Sequence, residues 1–158
     1  MALPTSNVQQ CDSAEGSRAQ VTYLCAHTGV TCSHFYGAST ASDLNFIRIN
    51  PPAGAQELRV ASTLPSVGDE VHVLWEEKGF SCVRAGRVSR VSAADNSFAV
   101  FLGWDAPSSV QGISGALCWD GTARGVVTGV QRNLKTTHLW VQAVPTDCVL
   151  KRRGFLAL

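Results

Sequence analysis

Nine short apolar runs recur along this chain at the length of a β-strand, and turn chemistry separates them. They read "AQVTYLCAH", "LNFIRI", "ELRVAS", "EVHVLW", "AGRVSRVS", "SFAVFLGW", "GALCW", "RGVVTGV" and "HLWVQAV". Between them lie "NPPAG", "SVGDE", "EEKG", "AADNS", "DAPSS" and "WDGTA", clusters of the residues that tight turns require. Apart from a weak possibility near the C-terminal end, no segment sustains a helical period over ten residues. Short strands at regular spacing predict an all-β sandwich or barrel of antiparallel strands.

The chain has 158 residues, enough for one domain or for two small lobes that share a core. Apolar residues are 45% and charged residues 16%, which favours a compact globule over disorder. Net charge is +1, without the concentrated basic surface that nucleic-acid affinity needs, so no nucleic-acid partner is expected. The basic stretch "KRRGF" at 151–155 reads as a solvated tail. No apolar run approaches 18 residues and "MALPTSNVQQ" lacks signal-peptide regions, so a soluble chain with no membrane segment is expected. Without a signal, the six cysteines are expected to be reduced and to act as small hydrophobes.

Two segments carry chemistry. "YLCAHTGVTCSHFYG", 23–37, holds two Cys-x-His pairs, Cys25/His27 and Cys32/His34. A tight turn bringing these pairs together would make a zinc hairpin; otherwise the segment is the end of a strand presenting one histidine. "SVQGISGALCWDGTARGVVTGV", 109–130, holds Gly-x-Ser-Gly ahead of an apolar strand, an Asp-Gly hairpin turn at Asp120 and Gly121, and a second apolar strand. Glycines there let the backbone fold tightly enough for the amides of Gly112 and Ser114 to address one oxyanion.

This second segment resembles the nucleophile region of chymotrypsin-like serine proteases: Gly-x-Ser-Gly, an apolar strand, an Asn/Asp-Gly turn, then Gly-Val-Val-Thr-x-Gly. The resemblance implies that Ser114 is the nucleophile, that Gly112 and Ser114 form the oxyanion hole, and that Gln111, Thr128, Gly129 and Val130 contact substrate. Upstream, "VTYLCAH" resembles the family strand ending in Thr-Ala-Ala-His, implying His27 as general base. "SDLNFIRI" resembles the Asp-Leu-Ala-x-Leu strand, implying Asp43 as the acid that orients it. "GDEVHVLW" and "AGRVSRVS" resemble the opening strands of the second barrel. The order His, Asp, Ser is the family's own. On this reading His34 has no role; as a rival base it would sit beyond the strand end, nine residues from Asp43.

The implied fold is a two-lobed antiparallel β-barrel with the first barrel abbreviated. Residues 1–19 are expected as a flexible leader, 20–64 as the first barrel, 65–150 as the second, and 151–158 as a tail. Ile113 occupies the place of the aspartate used by digestive enzymes, and their cysteine pairs have no counterparts. The chain is therefore more similar to compact polyprotein-processing proteases of positive-strand RNA viruses, which would put it in a host cytoplasm. Relatives that cut after Glu or Gln carry a histidine fourteen residues after the nucleophile; here that position is Thr128. Ser109 keeps the Ser/Thr expected five before Ser114, and Ser108 would stand near the pocket floor, implying an uncharged pocket for an apolar or small residue. The expected partner is a peptide or polyprotein, with no cofactor and no metal. The alternatives are a barrel of this kind that has lost catalysis and serves as a binding module, or a zinc-hairpin module on Cys25, His27, Cys32 and His34.

Overall fold

Two β-lobes make up the computed structural model, which describes residues 3–12, 18–25, 27–32, 44–61, 63–94, 97–104, 112–132 and 138–145. The first lobe is a four-stranded antiparallel sheet in chain order: β1 (Val8–Asp12), β2 (Arg18–Cys25), β3 (Thr28–Cys32) and β4 (Leu44–Arg48). The second is a closed barrel of β5 (Glu70–Glu77), β6 (Phe80–Ser92), β7 (Ser97–Trp104), β8 (Leu117–Trp119), β9 (Ala123–Arg132) and β10 (His138–Pro145). Its strands run in the order β10-β7-β6-β5-β8-β9, and β9 pairs with β10 to close it. The first sheet is thus the abbreviated counterpart of the second barrel.

Alternation along the strands decides how the lobes join. Successive side chains point to opposite faces of a sheet. On β5, Val71, Val73 and Trp75 face the barrel interior, where they pack with Val88, Phe98, Val100, Leu102, Ile113, Cys118 and Val127. Leu74, between them, faces outward into a second cluster with Val8, Leu24 and Val30 of the first sheet. β8 does the same: Cys118 points in, while Leu117 and Trp119 point out to that shared cluster. All three residues of β8 are buried because both of its faces are covered. The barrel wall is therefore also the floor of the first lobe.

The structure corrects several expectations. Residues 1–19 are not all leader: β1 pairs with β2 from Val8↔Thr22 to Asp12↔Arg18, and Val8 sits in the inter-lobe core. A 3-10 turn at Thr5–Asn7 precedes it, with Asn7 buried and bonded through Nδ2 to the carbonyls of Tyr23 and Gln56. "ELRVAS" forms no strand; its only ladder contact is one parallel bridge, Val60↔Ala123. The Asp-Gly hairpin has three loop residues, since Trp119 pairs with Ala123. Asp120 rigidifies it by accepting from the Thr122 hydroxyl at 2.9 Å and from Arg124 Nε at 2.7 Å. Cys11, Cys25, Cys82 and Cys118 are free thiols, with Cys118 fully buried. The tail at 151–158 lies outside the described residues.

Candidate active site between the lobes

The turn that carries Ser114 is folded by its two glycines. Gly112 has φ +79° and Gly115 φ +94°, left-handed conformations that L side chains rarely adopt. Space enforces the second one independently, because a Cβ on Gly115 would overlap the backbone carbonyl of Gln20. Ile113, 1% exposed, is driven into the barrel core and anchors the turn from within. The Ala116 amide donates to the Ile113 carbonyl at 3.0 Å, and the Gly115 amide to the Val127 carbonyl at 2.7 Å.

The other side of the turn is held by the first lobe. The Gln20 amide donates to the Ser114 carbonyl at 2.7 Å, and the Thr22 hydroxyl to the Gly115 carbonyl at 2.8 Å. Gln20, Thr22 and Leu24 share one face of β2, so a single strand face presents two hydrogen-bonding groups to the turn and an apolar one to the inter-lobe core. Ser114 itself is half-buried. In a planar trans peptide the N–H points opposite to the carbonyl. With the Ile113 carbonyl turned toward Ala116, the Ser114 N–H is therefore directed away from that contact. No acceptor among the described residues takes the amide of Gly112 or Ser114, as an oxyanion site requires.

His27 is not brought to this turn. It occupies the tight β2–β3 connection, where Cys25 pairs with Thr28, and its φ of +57° makes it a turn residue. Histidine is among the few non-glycine types that visit this region readily. Ser114 binds Gln20, five residues along β2 from Cys25, or about 16 Å at strand rise. A nucleophile and its base must lie within roughly 3 Å. His27, expected as the general base, is on this ground separated from Ser114.

The β3–β4 register reinforces the point. Thr28 pairs with Arg48 at the His27 end, and Cys32 pairs with Leu44 at the other. The Ile49 amide donates to the His27 carbonyl, continuing the ladder past Arg48. Asp43 lies outside the described residues, but one peptide bond joins it to Leu44, at the end opposite His27. Thr31 fixes which end the Ser114 turn occupies, because its hydroxyl donates to the Gln20 carbonyl at 2.7 Å. Gln20, Ser114, Cys32 and Leu44 thus share one end of the sheet, and His27 stands at the other.

The same register separates the Cys-x-His pairs of the zinc hairpin. Cys25 is at the turn and Cys32 four strand steps beyond Thr28, about 13 Å away, whereas tetrahedral zinc holds its ligands within ~4 Å of one another. His34 lies outside the described residues, as do Ser108, Ser109 and Gln111. Thr128, Gly129 and Val130 follow Val127 on β9, next to the Ser114 turn. A Cβ on Gly129 would meet open space, and Val130 is 38% exposed. Beyond Val127, the strand that pairs with β9 among the described residues is β10. A cavity of about 330 Å³ lined by Glu70, His72, Trp119 and Asp120 contains none of the expected site residues.

Gln20, Thr22 and Thr31 were not anticipated as part of the site. The signal for Gln20 and Thr22 was present in "AQVTYL", where polar residues at i and i+2 interrupt one face of an otherwise buried strand and so demand partners.

No protein-family model and no curated protein matches this chain. Solved structures do match, at low identity. The Rv3671c protease of M. tuberculosis, in an inactive form, superposes with a TM-score of 0.67 at 16% identity, covering 96% of this chain and 90% of that one. The serine protease of a human pathogenic astrovirus gives 0.65 at 17% identity, covering 91% of each chain. The serine endoprotease of Yersinia pestis gives 0.69 at 15% identity, covering 94% of this chain and 61% of its own. The fold is chymotrypsin-like.

Proposed function

We propose that this chain is a serine endopeptidase that cleaves peptide bonds through an acyl-enzyme, with Ser114 as nucleophile. The observation that carries the reading is the Gly112–Gly115 turn, pinned between the lobes at the Cys32–Leu44 end of the first sheet. Chain connectivity favours His34 over His27 as the base: His34 follows Cys32 by two residues, and Asp43 precedes Leu44 by one. The Thr-x-x-His ending of the family strand is met by Thr31-Cys32-Ser33-His34, whereas four residues stand between Thr22 and His27.

In the reaction, Ser114 Oγ bonds to the scissile carbonyl carbon as its proton passes to the histidine, and the carbonyl π electrons become an oxyanion. The amides of Gly112 and Ser114 stabilise that oxyanion. The tetrahedral intermediate collapses, the C–N bond breaks, and the histidine gives its proton to the leaving amine. Water then repeats the sequence on the ester. Asp43 holds the imidazole in the required tautomer. Substrate backbone pairs with β9 at Gly129 and Val130, beside Thr128, as an added antiparallel strand. Ser108, Ser109 and Gln111 would line an uncharged pocket for an apolar or small residue. The 91% coverage of each chain in the match to the astrovirus enzyme supports viral polyprotein processing as the setting.

Labelling with a fluorophosphonate, followed by mass spectrometry, tests this reading. The expected adduct is on Ser114, lost in Ser114→Ala and in His34→Ala, and retained in His27→Ala. No adduct on folded protein overturns it in favour of a binding module with this fold.

A further inference from the structure

Gln20 makes more polar contacts with the nucleophile turn than any other described residue, and it belongs to the opposite lobe. Its side chain is buried, 1% exposed. Nε2 donates to the Gly112 carbonyl at 3.1 Å and to the Glu76 carbonyl at 2.9 Å, while Oε1 accepts from the Glu76 amide at 2.9 Å. Its backbone amide donates to the Ser114 carbonyl at 2.7 Å and its backbone carbonyl accepts from Thr31. Both side-chain N–H donors are used, one on the turn and one on β5, both parts of the second lobe.

These bonds fix alternate peptides of the turn. Gln20 holds the carbonyls of Gly112 and Ser114, and the Ala116 amide holds the Ile113 carbonyl between them. Three consecutive peptide planes are thus oriented. The Gly112–Ile113 plane is the one secured by a side chain alone, and it adjoins a glycine, whose backbone rotates at little steric cost. Freeing the Gly112 carbonyl would let that plane turn; the Gly112 amide lies in the preceding peptide and the Ser114 amide in the following one, so rotation about the Cα atoms on either side would loosen the aim of both oxyanion donors. Ile113 cannot substitute for this control, since its apolar side chain anchors depth in the core without specifying the direction of a carbonyl. The far end of Gln20 is gripped by both backbone groups of Glu76 near the end of β5, so the turn is also tied to the second lobe through a first-lobe side chain.

We propose that Gln20 is a positioning residue that sets the oxyanion-binding turn in its reactive conformation and makes that conformation depend on the seating of the first lobe against β5. The proposal rests on the reading of Ser114 as nucleophile. Gln20 touches no reacting atom; it acts through Gly112.

The test is the rate of fluorophosphonate labelling at Ser114 across pH, in wild type, Gln20→Met and Gln20→Ala. Methionine keeps the volume and removes the hydrogen bonds. The expected result is a plateau rate lowered about 10- to 100-fold per folded molecule, the effect of displacing an oxyanion donor, with the midpoint of the pH profile unmoved because the base is untouched. A purely structural role would lower thermal stability and leave the plateau rate of the folded fraction unchanged; that result overturns the proposal. If wild type is not labelled, the nucleophile reading fails, and this proposal with it. If wild type and Gln20→Met label equally, this proposal alone fails. Should both variants fail to fold, the wild-type protein decides. Phosphonylation of Ser114 is expected to shift the NMR signals of the Gln20 side-chain amide, which should exchange slowly with solvent. A fast-exchanging amide, or one blind to the adduct, overturns the proposal.

Discussion

Gly115 lies directly beneath the carbonyl of Gln20, so closely that no side chain fits between the Ser114 turn and β2. The contact is backbone against backbone, and its φ of +94° adds a second penalty for any other residue. Gly115→Ala is expected to destabilise the fold by about 3 kcal/mol, from the left-handed backbone and overpacking together. Urea denaturation should show a lower midpoint with an unchanged slope, and labelling of Ser114 should fall in the molecules that remain folded.

His27 separates geometry from chemistry cleanly. His27→Asn keeps a residue that tolerates positive φ, and is expected to hold stability within ~0.5 kcal/mol and the Ser114 labelling rate within about twofold. His27→Val places a β-branched residue at φ +57° and should cost about 1–2 kcal/mol, again without altering labelling per folded molecule. Loss of labelling in a folded His27→Asn protein would return His27 to the role of base.

Asn7 ties the N-terminal segment to the body of the first lobe. Its Nδ2 donates to Tyr23 and Gln56 carbonyls at 2.9 and 2.7 Å, and its Oδ1 accepts from the Gln56 amide at 3.2 Å. Asn7→Ala leaves the buried Tyr23 carbonyl without this partner and removes two part-buried bonds to Gln56, and is expected to cost about 2 kcal/mol. Limited proteolysis should then cut between residues 1 and 12 before any other site. Equal resistance in wild type and variant would show that β1 holds without the asparagine.

Gly129 tests the substrate strand without touching the nucleophile. Open space beside it means that Gly129→Val fits the folded protein, so stability should change by less than ~0.5 kcal/mol. The added side chain would stand where a paired peptide runs. Turnover of a peptide mixture should drop at least about tenfold through KM, while labelling by a small fluorophosphonate stays unchanged. A parallel fall in labelling would mean that β9 supports the turn rather than the substrate.

Cys118 gives a pH signature. Complete burial pushes its thiol from the ordinary 9.0 up to about 12. The unfolded chain ionises first, so the folded state binds more protons between those values and stability falls as pH rises through that window. Thermal midpoints should decline from pH 9 to 11 less steeply in Cys118→Ala than in wild type. Iodoacetamide at neutral pH should leave Cys118 unmodified until the protein unfolds, since the thiolate is the reactive form.

Much of the barrel was legible because its signal is local. A strand announces itself by period two and its bounding turns, and eight of the nine apolar runs became strands. "ELRVAS" did not, because only the single Val60↔Ala123 bridge received it. β1 escaped notice because "VQQCD" is polar at most positions; Val8 alone reaches the core, and pairing with β2 supplies the rest. Gly-x-Ser-Gly was legible for the same local reason, as both glycines answer to backbone dihedrals inside one turn.

By itself the sequence determined the class of fold and the need for glycines on either side of Ser114, both of which depend on neighbours a few positions apart. Which histidine stands near that serine is a question of another kind. It depends on where β2 turns into β3 and on the register of β3 against β4, and a hairpin inverts direction, so Thr28 and Cys32 finish at opposite ends of the sheet. Gln20 likewise acquired its partners only when Gly112, Ser114 and Glu76, far apart in the chain, were packed around it. Long-range hydrogen bonds choose among locally equal candidates, and they exist only once the lobes have met.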